Sequence, residues 1–138
     1  MSRAVALLTL IVLGCASTSR LPVHAPGSRE TTVYFIRTNQ PPVLWNVRIY
    51  LDGEQVGSVA NQSSMAITAP AGEHQLVFGW PLLAGGSGLQ TELRFKPGET
   101  QYFVIGGLQG AELPGQQALL VLEVPPERGQ DLLLTYHD

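Results

Sequence analysis

Apolar and polar residues alternate strictly in two segments of the chain. In the first segment the apolar positions are Trp45, Val47, Ile49 and Leu51, and in the second Leu89, Leu93 and Phe95 flank Thr91. Successive side chains of a β-strand point to opposite faces, so this period of two predicts strands that bury one face only. The two segments therefore predict a sheet with one face packed on a core.

Turn-forming pairs follow both segments. Asp52-Gly53 is the preferred pair for a two-residue type I′ hairpin, because both positions need positive φ. Pro97-Gly98 fits the central positions of a type II turn, and Pro70-Ala71-Gly72 predicts a further turn. Each pair is followed by another β-rich run, which indicates antiparallel hairpins.

The remaining short apolar runs complete the predicted fold. Thr31–Arg37 has apolar side chains on both faces, which is typical of a central, doubly covered strand. Further strands are predicted at 54–60 (with a bulge near Gly57), 65–69, 73–80, 99–105 and 117–124. Glu127–Tyr136 fits either a helical turn or a last strand. We expect an all-β, antiparallel sandwich of seven to eight short strands, transthyretin-like or immunoglobulin-like.

Composition supports one domain held by its core. The chain has 138 residues, of which 44% are hydrophobic and only 14% charged, values that suit one folded domain. Its formal charge of −3 argues against nucleic acid as a partner. The single cysteine, Cys15, excludes an intramolecular disulfide framework.

The N-terminus offers another role for Cys15. Ala4–Leu13 is an uncharged apolar run after Arg3, too short for a spanning helix but matching a secretory signal. It ends in Val12-Leu13-Gly14-Cys15, which resembles the lipobox of bacterial lipoproteins. The resemblance implies cleavage after Gly14 and acylation of Cys15. The lack of Asp after the cysteine implies sorting to an outer membrane, facing the periplasm.

The expected organisation has three parts. Residues 1–14 form a lipoprotein signal peptide, residues 15–30 a lipidated N-terminus with a flexible tether, and residues 31–138 the β-sandwich. The tether region is rich in Ser, Thr, Pro and Gly and shows no apolar period. The membrane, reached through the anchor at Cys15, is the first expected partner, and an envelope protein is the second.

The chain contains no motif for catalysis, metal or cofactor binding. His24, His74 and His137 lack metal-ligand spacing, and the serines do not lie in a nucleophile elbow. We therefore predict no metal, no cofactor and no enzymatic activity. The acids, among them Glu54, Glu73, Glu92 and Glu99, are interpreted as solvated surface groups.

Two groups of apolar and aromatic residues could instead form contacts. Trp80, Leu82 and Leu83 lead into a glycine-rich loop and could contact a partner, although Trp80 could equally end a core strand. Tyr34, Tyr50 and Tyr102 could form a binding strip, although packing against a second sheet is favoured.

Three segments together resemble a known family. They are 47–57 (VRIYLDGEQVG), 70–76 (PAGEHQL) and 95–103 (FKPGETQYF). Their order is similar to PEGA-type domains, and closest to a family of unknown function found in bacterial lipoproteins. This resemblance implies a small β-sandwich over about residues 31–105 and carries over no catalytic residue. The longer segments 80–88 and 106–115 depart from the family pattern.

Three functional hypotheses remain open. The first is a membrane-anchored envelope lipoprotein that acts as a non-catalytic binding or structural module. The second is an outer-membrane lipoprotein of a type VI-like secretion assembly, since residues 42–50 are similar to the first strand of those transthyretin-like proteins. The third is a cell-envelope hydrolase, for which we find no sequence motif.

Overall fold

The computed structural model describes residues 25–39, 44–81, 88–107 and 119–136. These residues form eight strands and one helix. The strands are β1 (Glu30–Arg37), β2 (Val47–Leu51), β3 (Glu54–Val59), β4 (Ser63–Pro70), β5 (Gly72–Gly79), β6 (Leu89–Phe95), β7 (Thr100–Gly107) and β8 (Leu119–Val124), and they are followed by helix α1 (Pro126–Thr135).

The strands form two four-stranded sheets. The first has the order β4-β1-β7-β8 and the second the order β3-β2-β5-β6. All the pairings are antiparallel except that of β1 with β7, which is parallel. Immunoglobulin sandwiches place the first two strands in one sheet, whereas here β1 and β2 lie in different sheets. The strand order therefore departs from the immunoglobulin-like alternative, and the predicted all-β sandwich is confirmed.

One hydrophobic core lies between the sheets. Phe35 of β1 contacts Phe78 of β5 edge to face and Phe103 of β7 in a stacked arrangement, with ring centroids 5.7 and 6.0 Å apart. All three rings are fully buried or nearly so. Aromatic pairs at these distances add to the gain from burial. The alternating positions of the sequence thus meet in one core cluster.

The predicted turns form, but only Asp52-Gly53 joins two paired strands, β2 and β3. The turns at 70–72 and 97–98 each join strands of different sheets, so the predicted hairpin of β6 with β7 is wrong. Asp52 and Gly53 have φ values of 50° and 87°, as a type I′ turn requires, and Gly98 has a φ of 72°. Ile49 pairs with Gly57 and Tyr50 with Gln55, so the extra residue of the bulge is Val56. The bulge turns both Val56 and Val59 inward despite their odd spacing.

The C-terminal segment is a helix that covers the outer face of the first sheet. Pro126 begins it, a favoured first position for proline. Leu132 of the helix packs with Tyr102 and Ile36 in a second apolar cluster. Tyr102 also stacks on Tyr34 at 5.4 Å. These two tyrosines therefore pack under a helix, and the expected packing against a second sheet is wrong for them.

Two expectations about strand position also need correction. Trp45 was placed on the buried face of the first alternating segment, but β2 begins at Val47 and Trp45 is exposed. The similarity of residues 42–50 to a first strand of secretion lipoproteins predicts that they form the first strand, but their described part, 44–50, leads into the second strand of this chain. The alternation of apolar and polar residues therefore begins at Trp45, before the first residue of the strand that it predicts.

Candidate functional site

The two ends of the sandwich differ in their connections. At one end, which we call the tether end, β1 begins at Glu30 and short turns join β2 to β3 (52–53), β4 to β5 (71) and β6 to β7 (96–99), the last two passing from one sheet to the other. At the other end, the loop end, β1, β5 and β7 end and β2, β6 and β8 begin, and the connections between them are longer; their described residues are 38–39, 44–46, 80–81 and 88. Because β1 spans eight residues, the two ends lie about 25 Å apart. Binding residues of β-sandwiches commonly lie on such longer connections.

Arg37 closes the core at the loop end. It is the last residue of β1, and only 1% of its surface is exposed. Its Nη1 donates hydrogen bonds to the carbonyl oxygens of Trp45, at 2.6 Å, and Val59, at 3.3 Å. Burial lowers the pKa of Arg37 from its usual value. A guanidinium carries five N–H donors, so Arg37 ties together the segments that lead into β2 and out of β3.

Trp80 lies beside Arg37 in the same end. It follows β5 directly, and the guanidinium carbon of Arg37 lies 4.9 Å from its ring centroid, a cation–π contact. Its ring packs on the main core cluster. Among the described residues, no acceptor reaches its buried indole N–H. Leu82 and Leu83, which we predicted to act with Trp80, lie outside the described residues.

The exposed residues of the loop end were missed in the sequence. Leu44 is 87% exposed and Trp45 is 37% exposed. At the same end, Nδ2 of Asn61 donates a hydrogen bond to Oδ1 of Asn39 at 2.9 Å. Indole rings, amides and a nearby guanidinium can stack on a ligand and hydrogen-bond to it. Such groups suit non-covalent binding, and the sequence signal for them was the two tryptophans, of which Trp45 precedes β2 and Trp80 follows its neighbour β5.

His74 belongs to the opposite, tether end. Its Nδ1 lies 2.7 Å from Oδ2 of Asp52, and its Nε2 lies 2.7 Å from the carbonyl oxygen of Pro70. Its ring also lies against Phe95, with centroids 4.7 Å apart. Both oxygens are acceptors, so a ring protonated on both nitrogens can donate to both at once. His74 therefore joins two turns as a structural group.

Asp52 is the other half of this contact. The hydrogen bond from His74, together with one from the backbone N–H of Gln75 at 2.9 Å, lowers the pKa of Asp52. Hydrogen bonds to a carboxylate favour its charged form. Asp52 thus holds a strained hairpin position and a neighbouring strand together.

A polar cleft of about 350 Å³ also opens at the tether end, between the 96–99 turn and the start of α1. Glu123 accepts hydrogen bonds from Lys96, at 2.9 Å, and from buried Gln101, at 3.0 Å. Although burial opposes the charged form, these bonds lower the pKa of Glu123, and its contact raises the pKa of Lys96. The polar groups of the cleft are engaged with one another, which is typical of a structural network.

The other residues singled out in the sequence are not brought together. Cys15, His24 and His137 lie outside the described residues. Within the described ranges no group of three or more His, Cys, Asp or Glu side chains could hold a metal ion. The four acids interpreted as surface groups (Glu54, Glu73, Glu92 and Glu99) are exposed. No helix in the described part of the chain is long and apolar enough to cross a membrane.

Comparisons with known proteins add no family. No protein-family model matches the sequence. A search of curated proteins finds no significant match either. The resemblance to PEGA-type lipoprotein domains therefore stays a prediction. The strand order and the contrast between the two ends are the features of the folded domain that bear on its function.

Proposed function

We propose that the chain is a membrane-anchored lipoprotein of the bacterial cell envelope whose sandwich is a non-catalytic binding or structural module. The observation that carries this proposal is the apolar run Ala4–Leu13 ending directly in Gly14-Cys15. Two or three acyl chains on Cys15 make a stable anchor without a spanning helix, at about 0.8 kcal/mol for each buried methylene.

The position of β1 supports this arrangement. β1 begins at Glu30, so the chain from Cys15 enters the sandwich at the tether end. A segment of this length between an anchor and a domain acts as a spacer. The proposed site is the outer membrane, with the domain in the periplasm.

The loop end supports the proposal of a binding module. Leu44 and Trp45 are exposed there, next to Arg37 and Trp80. The acids Glu30, Asp52, Glu54, Glu73 and Glu99 all lie at or near the tether end. Large apolar side chains exposed together commonly mark a contact surface. An envelope protein that contacts the loop end is the partner that we propose.

The proposed membrane anchoring is tested by the intact mass and the membrane fractionation of the chain expressed in a bacterial host. We expect the wild type to lose residues 1–14, gain acyl mass and sediment with membranes. The Cys15→Ser variant should keep the apolar run and gain no acyl mass, whereas Ser17→Ala, two residues away, should behave as the wild type. A wild-type chain without acyl mass overturns the proposal.

A second candidate, a secretion-assembly lipoprotein, is favoured by one observation. The strand order β4-β1-β7-β8 and β3-β2-β5-β6 agrees with the transthyretin-like sandwich that such lipoproteins carry. Capture of the acylated chain from membranes distinguishes the candidates. Co-purification of one large periplasmic partner with the wild type, and its loss in Trp45→Ala, would favour the secretion role.

A further inference from the structure

The four sheet edges of the sandwich are unequal. The edge strands are β3, β4, β6 and β8. An edge strand presents free backbone N–H and C=O groups, and soluble proteins usually protect it with charge, proline or a bulge. β3 has its bulge and Glu54, β4 ends in Pro70, and β6 carries exposed Glu92 and Arg94.

Within the part of the chain that the structure describes, β8 has none of these protections. It is regularly paired with β7 along its whole length, and five of its six residues are aliphatic (LLVLEV). Its one charged residue, Glu123, is bound to Lys96 of its own chain. Leu122 is 54% exposed. Among the described strand residues, it is the only large apolar side chain with this much exposure. β8 is therefore the edge best suited to accept another strand.

We propose that two copies of this chain associate by antiparallel pairing of their β8 strands. Along an antiparallel edge strand, every second residue points its backbone N–H and C=O groups away from the sheet. Each of these residues pairs with a residue of the other copy whose backbone groups also point outward. The two-fold axis therefore passes between one residue and the same residue of the other copy. Pairing over β8 forms about six backbone hydrogen bonds.

The side chains of β8 fit this self-pairing. With the axis at Val121 or Leu122, the central residues of β8, Leu122 lies opposite Leu120 or Leu122 of the second copy. Glu123 then faces an aliphatic residue in either register, so like charges do not oppose each other. Pairing also closes the interface as a dimer, because it consumes the unprotected edge of both copies.

The tether permits both copies to share one membrane. Antiparallel pairing puts the two tether ends at opposite ends of the dimer. Residues 16–29 can extend over at most about 45 Å, which exceeds the length of the sandwich strands. The loop ends of both copies stay uncovered, so the dimer is compatible with the proposed binding surface and does not depend on it.

The first test is the sedimentation of the full-length chain in mild detergent. We expect a dimer, and we expect Leu122→Lys to raise its dissociation constant about a hundredfold, because the symmetry repeats the lysine on both sides. Leu134→Lys, on the exposed face of α1, is the matched control and should remain dimeric. The circular dichroism spectrum and Tm of each variant verify that it folds. A monomeric wild type, or a dimer that Leu122→Lys leaves intact, overturns the proposal.

A cysteine scan gives an independent readout. Val121→Cys or Leu122→Cys, whichever lies on the axis, should form a disulfide-linked dimer on oxidation, because opposed antiparallel residues lie within disulfide distance. Gln90→Cys, on the β6 edge, should not. The wild type on the same gel reveals any disulfide through Cys15, so a failed lipidation is distinguished from a failed dimer. Cross-linking through Gln90→Cys alone would place the interface elsewhere.

Discussion

At the scale of single residues, Arg37 shows how a charged side chain can close an apolar core. Its guanidinium is buried where the strands end, and it donates to the carbonyl oxygens of Trp45 and Val59. A buried carbonyl without a donor costs free energy comparable to a lost hydrogen bond. Arg37 therefore replaces the sheet hydrogen bonds that are missing at this end.

We expect Arg37→Ala to lower the free energy of unfolding by about 3 kcal/mol, because two buried acceptors lose their donor and Trp80 loses its contact. Urea denaturation followed by tryptophan fluorescence measures the change. Arg48→Ala, an exposed arginine of β2, should change stability by less than about 0.5 kcal/mol. An equal change in the free energy of unfolding in the two variants would show that Arg37 does not stabilise this end of the core.

Asp52 gives the protein an acid-sensitive contact. Its pKa is lowered in the folded state, so its contribution to stability is fully present above the unfolded value of about 3.9 and is lost as the pH falls. We expect Asp52→Asn to be less stable than the wild type at neutral pH and to lose less stability between about pH 5 and pH 2. Glu54→Gln, in the same hairpin, should keep the wild-type pH profile. Parallel profiles for wild type and Asp52→Asn would contradict this role.

At the scale of elements, the turns were predictable and the helix was not. The residue types of Asp52-Gly53 and Pro97-Gly98 determine the backbone angles of these turns, so the local sequence is sufficient to predict them. Leu132–Leu134 has apolar residues in succession and fits either a strand or a helix. The helix is selected by what it covers, since Tyr102 and Ile36 would otherwise be exposed. Such a tertiary reason is not visible in a local pattern.

Gly129 determines how closely α1 can approach the sheet. A Cβ atom at this position would overlap the ring of Tyr102. We expect Gly129→Ala to destabilise the fold by about 1–3 kcal/mol, although alanine favours helices. Gly79→Ala is the control, because a Cβ there meets no atom within 4 Å. Thermal unfolding distinguishes them, and a more stable Gly129→Ala would disprove the close contact.

The candidate site was only partly predictable at this scale. Trp80 was singled out from its place before a glycine-rich segment, and it does lie at the loop end. Arg37 was missed, because a charged residue at the end of a strand usually lies in solvent. Its burial depends on Trp45, Val59 and Trp80, which come from three distant segments. Only the folded chain brings these segments together.

At the scale of the whole molecule, the period-two patterns predicted a sandwich but not its strand order. Hairpins follow from local turns, and β2–β3 pairs in this way. The pairing of β1 with β7 has no local signal, because the two strands are parallel and most of the domain lies between them. The placement of β1 and β2 in different sheets likewise has no signal in the local sequence.

The central position of β1 has a consequence for the order of folding. Thr32 pairs with Thr68 on one side and with Thr100 on the other. In a chain that emerges from its N-terminus onward, β1 has no neighbouring strand until β4 has appeared, and it gains its second neighbour only when β7 follows. Distant pairings of this kind make folding slow. A polypeptide that crosses a membrane in the unfolded state could still be translocated during this delay.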